Sequence, residues 1–454
     1  MRRLCCVLPA AAVLLPLLPT SVAAQAPPPP LPGVIERVAP AEPPALGPPL
    51  LPPEPAAATG PGATQRVPLG AVRVEGATAL PAAALEAPLA GLAGREATLA
   101  EIEAARLGVL RAYRATGLPY VAVAARLAAQ LDGRAGLVLA VTEGFVAALR
   151  IEGDIGPAEA LARRFLAPLL EQRPLQAAAL ERALLLAGDI PGVTARGVLR
   201  PMVGAPGALE LVVQLDRRPV SGFASLDNRG YGPTGRWQGL LVGQLNSLTW
   251  LGERTEIALL GTDGGGQRFA QITEEMFIGA SGLRLRFYAG AGEAEPGSAL
   301  AAIGYAGQTR IAGFGLAYPL IRSRPLNLSL SGQFDAFESE VRARPAPGEP
   351  RIRQSLDSVR VLRLGLEGAV QDALLGAAPA AAATTGLLRL GQGIETLGAS
   401  GGAFAARAGS EFGFTKLTIE ASRLQPLFAP GGDWLVSLLA VGAAQWSGDR
   451  LPPA

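Results

Sequence analysis

The chain has 454 residues, enough for about two to four domains, and it contains no histidine. Because the commonest general base and metal ligand is missing, triad chemistry and histidine-based metal sites are disfavoured. Basic and acidic residues number 40 and 38 and form no basic block, so a nucleic acid is not an expected partner.

The first 24 residues have the pattern of a secretory signal peptide. Arg2 and Arg3 precede the apolar run LCCVLPAAAVLLPLL, and the small residues Val22-Ala23-Ala24 fit a cleavage site, with Ala26 as the second choice. Both cysteines lie before this site, so the mature chain can form no disulfide. Cleavage would remove two basic and no acidic residues, which leaves 38 of each.

Residues 25–66 form a proline-rich linker, with 13 prolines between positions 27 and 56. Such a sequence cannot bury enough apolar surface to form a core, and proline favours an extended, polyproline-like chain. We therefore expect a tether between the signal peptide and the first domain.

A repeat follows the linker and predicts two α+β domains, at residues 67–146 and 147–218. The segments GAVRVEGATALP, from Gly70, and VAALRIEGDIGP, from Val146, each read as a strand and a glycine turn. Two helical and two strand-like segments complete each copy, in the order strand-helix-helix-strand-strand. Each domain should pack two helices on a three-stranded sheet.

Caps and periodicity mark the helices of the repeat. In the first domain, Thr98 and Glu101 have the spacing of a capping box, and Gly117 is placed to end the helix. In the second domain, Pro174 is placed at the first turn and Gly188 at the end. One stripe of the first helix should comprise Leu99, Ile102, Ala105 or Arg106, Val109 or Leu110, and Tyr113.

The turn after the last of these helices carries Asp189, Pro191 and Gly192. We interpret it as a structural turn, because glycine permits the tight geometry that redirects the chain into a strand; direct contact with a substrate is the alternative. The segments YVAVAARLAA (120–129) and VTARGVLRPM (193–202) are the candidates for exposed sheet edges.

From residue 219 to the end, strand-like segments alternate apolar and polar residues. This pattern predicts an antiparallel transmembrane β-barrel with a wet lumen, and a soluble β-sandwich is the alternative. We expect eleven strands, starting near residues 220, 236, 254, 268, 283, 308, 326, 358, 386, 412 and 434. Single-chain bacterial barrels have an even number of strands, so this number leads us to expect a C-terminally truncated sequence.

Charged residues on the polar side of these strands should line the lumen. Arg284, Arg286 and Arg363 are the candidates, and acids such as Glu367 are their candidate partners. A dedicated selectivity ring is the alternative interpretation. No apolar run after the signal peptide is long enough for a membrane-spanning helix.

These segments resemble the outer-membrane transporters of two-partner secretion, the haemolysin activation/secretion proteins, which join POTRA (polypeptide-transport-associated) domains to a β-barrel. The resemblance rests on VRVEGATALP and GLVLAVTEGFVAALRIEG in the first domain, and on LAGDIPGV and VLRPMVGAPGALELVVQL in the second. In the barrel it rests on YPLIRSRPLNLSLSGQFDAF and on the loop SLDNRGYGPTGRWQ, whose family positions are Asp227, Asn228, Thr234 and Gly235. Turn formation is the plainer interpretation of Asp227 and Asn228.

The resemblance implies passive export across the bacterial outer membrane. POTRA domains in the periplasm would capture a partly unfolded, adhesin- or haemolysin-like partner, and the barrel would pass it outside. No catalytic residue, cofactor or metal is implied, and the sequence has no phosphate-binding loop for a nucleotide. The first alternative is an outer-membrane assembly factor that inserts barrel proteins; a solute porin is less favoured, and an enzyme least.

Overall fold

The computed structural model describes residues 62–129, 134–374, 381–431 and 434–452. The predicted signal peptide (1–24) and most of the predicted linker (25–66) lie outside the described residues. The described chain divides into two compact units after Arg217, called here the N-terminal unit and the sheet unit. No helix in the described ranges is long and apolar enough to cross a membrane.

The first module of the N-terminal unit is a four-stranded sheet with two helices. Its elements are β1 (Arg66–Glu75), α1 (Ala82–Leu89), β2 (Glu96–Thr98), α2 (Leu99–Ala115), β3 (Val121–Ala129) and β4 (Ala135–Glu143). The sheet order is β2-β1-β4-β3, in which β1 and β4 are parallel and β3 and β4 antiparallel. The predicted order of two helices and three strands is confirmed, and the short β2 is an additional strand.

The second module repeats this architecture with a three-stranded sheet. Its elements are β5 (Phe145–Glu152), α3 (Glu159–Leu166), α4 (Ala177–Gly188), β6 (Val193–Pro201) and β7 (Ala208–Arg217), and the sheet order is β5-β7-β6. Helix α4 begins at Ala177, so Pro174 lies in the preceding loop and not in the first helical turn. The predicted domain boundary after residue 146 lies inside β5.

Helix α2 has the predicted cap and buries the predicted stripe. The Glu101 amide donates to Thr98 Oγ1 at 3.2 Å, and the Thr98 amide donates to Glu101 Oε2 at 2.7 Å, which completes the capping box. Hydrogen bonds from Arg95 and Thr98 lower the pKa of Glu101 to about 2. The buried residues of the stripe are Ile102, Ala105, Val109, Leu110 and Tyr113.

In its described residues, the sheet unit contains one antiparallel sheet of eleven strands, the number that the sequence predicts. Its elements are β8 (Val220–Asp227), β9 (Gln238–Asn246), β10 (Arg254–Thr262), β11 (Gln267–Ile278), β12 (Leu283–Ala294), α5 (Ala299–Ala302), β13 (Ala306–Arg322), β14 (Leu326–Ala343), β15 (Ile352–Asp372), β16 (Ala382–Gly393), β17 (Thr415–Gly431) and β18 (Trp434–Ser447). Each strand pairs with its neighbours in sequence, and β8 and β18 are the two edges. The largest difference from the predicted starts is at β15, which begins at Ile352.

The connections at the two ends of this sheet differ. At the end where β8 begins, residues 247–253, 279–282 and 323–325 form tight connections, and we call this the short-turn end. At the opposite end, the long-loop end, residues 228–237, 295–305 and 394–414 form longer connections, and residues 263–266 form a short one. Short turns on one side and long loops on the other are typical of bacterial membrane barrels.

Candidate functional site

Strands β3 and β6, the two predicted edge candidates, both lie at an edge of their sheets. Within the described residues, β3 pairs only with β4, and β6 pairs only with β7. The outer backbone of an edge strand has amide and carbonyl groups with no partner in the sheet. An extended polypeptide can therefore add to either edge as a further strand.

The side chains on these edges are small, apolar or basic. Residues 124–129 of β3 are exposed, and they include Leu127, which is 46% exposed. On β6, Val198 is 55% exposed and stands between Arg196 and Arg200. One carbonyl of β3 is engaged within the module, because Arg106 Nη1 donates to Val123 O at 3.2 Å. Both edges can thus offer backbone hydrogen bonds together with apolar contacts.

Gly144 joins the two modules through backbone hydrogen bonds. Its amide donates to the Tyr120 carbonyl at 2.8 Å, and its carbonyl accepts from the Leu175 amide at 2.8 Å. The next amide, of Phe145, donates to the Gly207 carbonyl at 2.9 Å. A Cβ at position 144 would collide with the Tyr120 carbonyl, so this junction requires glycine. These bonds connect the segment between the modules to the residue before β3 and to the loops that precede α4 and β7.

Glu143, beside this junction, holds a loop of the first module in place. Its carboxylate accepts from Tyr113 Oη at 2.6 Å and from the Thr78 and Ala79 amides at 2.8 Å each. Burial alone would raise the pKa of Glu143, but the hydrogen bonds from Thr78, Tyr113 and Ala79 together lower it. Burial, reinforced by Glu143, raises the pKa of Tyr113. The pair is therefore an ionised carboxylate and a neutral phenol at neutral pH.

Asp189, Pro191 and Gly192 lie in the connection between α4 and β6. The Asp189 amide donates to the Leu185 carbonyl at 2.8 Å, which ends the helix. The Val193 amide then closes a turn on the Ile190 carbonyl at 2.9 Å, with Gly192 at a φ of 74°. Proline followed by glycine at positive φ is the pattern of a type II turn, so turn formation accounts for Pro191 and Gly192.

Asp227 and Asn228 lie at the end of β8, at the long-loop end. Asp227 Oδ1 accepts from the Arg229 amide at 2.9 Å and from Gln238 Nε2 at 3.0 Å. These bonds link the two strands of the hairpin below its loop. Asn228 is exposed, next to this link.

Thr234 and Gly235 lie in the same loop, where it packs on the loop between β10 and β11. Thr234 is buried, its carbonyl accepts from Thr262 Oγ1, and Gly266 lies against its backbone. Gly235 has a φ of 128°, and a side chain there would collide with Asp263. The four positions of the resemblance therefore lie close together, where they shape one loop.

The predicted lumen arginines lie on the polar face of the sheet, opposite the exposed leucines. Arg284 Nη1 lies 3.4 Å from Glu275 Oε1 of the neighbouring strand. The Arg286 guanidinium lies 5.6 Å from the centre of the Tyr288 ring. Charged and aromatic polar groups thus occur along this face, as a water-filled lumen requires.

Arg363 pairs with Asp335 on the adjacent strand β14, and not with Glu367, the acid named from the sequence. Glu367 is four residues further along β15, about 13 Å away at the rise of a strand. Its nearest neighbours in register are Ser329 and Leu387. Asp335 also accepts from Gln333 Nε2 at 2.6 Å, so the arginine belongs to a polar cluster.

The apolar face of the sheet has the dimensions of a membrane band, most clearly on β15. We call the apolar stretch of β15 between Arg360 and Asp372 the membrane band. At one margin, Arg360 Nη2 lies 3.3 Å from Glu338 Oε1. At the other margin, Arg423 Nη1 lies 2.9 Å from Asp372 Oδ2. The two charged positions are about 40 Å apart along the strand, or about 30 Å across a membrane at a tilt of about 40°. A bilayer core is about 30 Å thick. The exposed side chains of the band are Leu362, Leu364, Leu366 and Val370.

No protein-family model matches the sequence, and no curated protein matches it. Among solved structures, the chain is similar to CdiB from Escherichia coli, with a TM-score of 0.64, 20% identity, and coverage of 92% of this chain and 73% of that one. It is also similar to CdiB from Acinetobacter baumannii, with a TM-score of 0.53, 12% identity, and coverage of 84% and 69%. The chain therefore has the fold of the CdiB structures, with two POTRA modules followed by the antiparallel sheet of a transmembrane β-barrel.

Proposed function

We propose that this protein is an outer-membrane translocator of two-partner secretion. Its POTRA modules lie in the periplasm and capture a partly unfolded partner protein, and its barrel exports that partner. The short-turn end of the sheet faces the periplasm and the long-loop end faces the exterior, in keeping with bacterial barrels. The polar face lines the export path, and Arg284, Arg286, Arg363 and Glu367 stand along it.

The observation that carries this proposal is the pair of open edges, β3 and β6, in a unit that directly precedes a two-faced sheet. A solute porin needs no such edges, whereas a protein exporter needs a surface that holds extended chain. Backbone pairing is largely independent of sequence, so it suits a long cargo with many different segments. A large secreted adhesin- or haemolysin-like protein is the cargo class that we propose.

A charge-blocking experiment tests the capture step. Lysines on an edge strand oppose the addition of another strand. The exposed positions Ala124 and Ala128 of β3, together with Thr194 and Val198 of β6, are changed to Lys in the full-length protein. We expect the quadruple variant to reach the membrane at the normal level but to export the partner about tenfold less.

A matched control places the same number of lysines away from the edges, at the exposed helix-α1 positions Ala82, Ala83, Ala84 and Ala87. This control should export normally. Equal export by the edge variant and the wild type would contradict capture at the edges. Loss of other barrel proteins from the membrane, with the partner still exported, would favour the assembly-factor function instead.

A further inference from the structure

Two neighbouring grooves cross the apolar face of the sheet between β10 and β14. Their volumes are about 590 and 400 Å³. Because side chains of one face recur at every second residue, each groove is bordered by two rows of side chains that run across the strands. The larger groove, nearer the long-loop end, is bordered by Leu259, Arg268, Ala270, Ala291, Glu293 and Arg310.

The smaller groove has a floor of alanines and a wall of aromatic rings. Ala289, Ala312 and Ala336 face one another in register on three successive strands. Phe287, Phe314 and Phe334 form the next row, and the last two rings have centroids 5.6 Å apart. The residue at the β11 end of this row is Glu274, which accepts a hydrogen bond from Thr255 Oγ1 at 2.6 Å. The other side chains of the two rows are apolar. The groove forms because the alanine side chains are shorter than the phenylalanine rings beside them.

The rim of the larger groove carries cations that are weakly engaged. Arg268 Nη1 lies 3.7 Å from Glu293 Oε1, and both side chains are more than half exposed, so this pair is weak. The Arg310 side chain makes no hydrogen bond or ion pair within the part of the chain that the structure describes. Its neighbour in register, Glu338, lies 3.3 Å from Arg360. The rim thus presents two guanidinium groups against one carboxylate.

We propose that these grooves bind a membrane lipid with a phosphate-bearing headgroup. Arg268 and Arg310 hold the phosphate at the long-loop margin of the membrane band, because guanidinium groups match phosphate oxygens in geometry and charge. The acyl chains lie across the alanine floor, against the phenylalanine wall. The occupant is identified by complementarity, since a cationic rim next to an apolar trough fits an anionic amphiphile and not a soluble anion.

This proposal depends on the sheet lying in a bilayer and not on protein export. Its test uses the full-length protein, purified in detergent and washed with mixed micelles that hold phosphatidylglycerol or phosphatidylcholine with identical acyl chains. Native mass spectrometry then measures the lipid that is retained. We expect phosphatidylglycerol to be retained about tenfold more than phosphatidylcholine, and the double variant R268Q/R310Q to lose that preference.

Two companion variants separate the site from general effects of charge and folding. The variant R268K/R310K keeps the charge and should retain most of the preference. The variant R342Q removes an arginine that pairs with Glu340 at 2.9 Å outside both grooves, and it should bind like the wild type. An unchanged R268Q/R310Q, or an equal loss in R342Q, overturns the proposal.

A further variant tests the acyl-chain part of the site. A312W fills the alanine floor without a change of charge, and it should lower retention of phosphatidylglycerol about tenfold by occupying the acyl volume. Inorganic phosphate at millimolar concentration should not displace the lipid from the wild type. If A312W binds normally and inorganic phosphate competes, the rim is a phosphate site only, and the lipid assignment is wrong.

Discussion

In the N-terminal unit, the apolar residues of the central strands β4 and β7 are mostly buried, whereas in the sheet unit the apolar residues of one face are largely exposed. Leu139 on β4 and Leu211 on β7 are fully buried under the helices of their modules. Leu364 on β15 is 55% exposed, and only the four-residue α5 accompanies the sheet in the described part of this unit. Alternation of apolar and polar residues along a strand therefore occurs in both environments. Where helices cover the sheet, the apolar residues are buried in a core, and where they do not, these residues are exposed.

The polar faces show the same contrast. In the first module, Tyr113 and Glu143 meet at the margin of a core and fix one loop. In the sheet unit, Arg284 with Glu275 and Arg363 with Asp335 lie on one face of the sheet, which also carries an apolar cluster that includes Leu260 and Phe269. A water-soluble module needs a few such bonds for specificity, whereas a barrel that encloses water needs them along its wall.

The two units can be followed separately in one experiment. The four tryptophans, at positions 237, 250, 434 and 446, all lie in the sheet unit. All described helices of eight or more residues lie in the N-terminal unit. Tryptophan fluorescence therefore reports on the sheet unit, and circular dichroism at 222 nm reports mainly on the POTRA modules.

The largest expected effect is loss of a core side chain from the N-terminal unit. Leu139→Ala should lower the free energy of unfolding by about 2–5 kcal/mol, because it leaves a cavity under α2. Urea unfolding followed at 222 nm measures it. The control Leu127→Ala, on the exposed edge β3, should stay within about 0.5 kcal/mol of the wild type. Equal effects of the two changes would mean that burial does not separate these positions.

The next largest effect is expected at an exposed residue, because exposure in the sheet unit means contact with lipid. Leu364→Arg places a charge in the membrane band and should destabilise the sheet unit by about 2–4 kcal/mol in lipid vesicles. Leu127 is 46% exposed, against 55% for Leu364, but it belongs to a module that we place in water, so Leu127→Arg should cost about 0.5 kcal/mol or less. Tryptophan fluorescence in urea checks the first and circular dichroism the second. A harmless Leu364→Arg would contradict a lipid environment at β15.

A smaller effect concerns the Tyr113–Glu143 bond. Tyr113→Phe should lower the free energy of unfolding by about 1.5 kcal/mol, since a hydrogen bond to a charged group is lost. Because the native pKa of Glu143 is lowered from 4.5, its contribution is present above pH 4.5 and is lost as the pH falls through the native pKa. The variant should show a shallower loss of stability in acid. Tyr231→Phe, at an exposed residue of the sheet unit, is the control and should leave the 222 nm transition unchanged.

The smallest effect concerns the cap of α2. Thr98→Ala should cost about 1 kcal/mol at neutral pH. The native pKa of Glu101 is about 2 against an ordinary 4.5, so its stabilisation is present above pH 4.5 and is lost as the pH falls toward 2. The unfolding midpoints of Thr98→Ala and the wild type should therefore differ at pH 7 and converge only as the pH falls to about 2. A constant difference at both pH values would show that Glu101 does not act through the cap.

Patterns that depend on a single element were predictable from the sequence. The Thr98–Glu101 cap and the stripe through Tyr113 depend only on spacing within α2, and both are present. The eleven strands were predictable because alternation is a property of each strand alone. The strand β2 was missed, since three residues are too few to show a period.

Features that depend on register between strands could not be predicted. Arg363 pairs with Asp335 because β14 places that carboxylate beside it, whereas Glu367 is distant along the same strand. The two grooves combine residues from four or more strands, and no single segment shows them. The structure also places Pro174 before α4, in the loop that precedes the helix. The start of α4 depends on the conformation of that loop, which the sequence pattern of the helix does not show.

The hydrogen-bonded junction at Gly144 has a consequence for affinity. Because these hydrogen bonds connect the modules that carry β3 and β6, a partner captured at both edges, as proposed, would bind the second edge as an intramolecular event. The gain is greatest when the partner's own linker matches the spacing of the edges, and it vanishes when the linker is too short. Two weak binding sites could then retain the partner together, while each site alone still dissociates quickly.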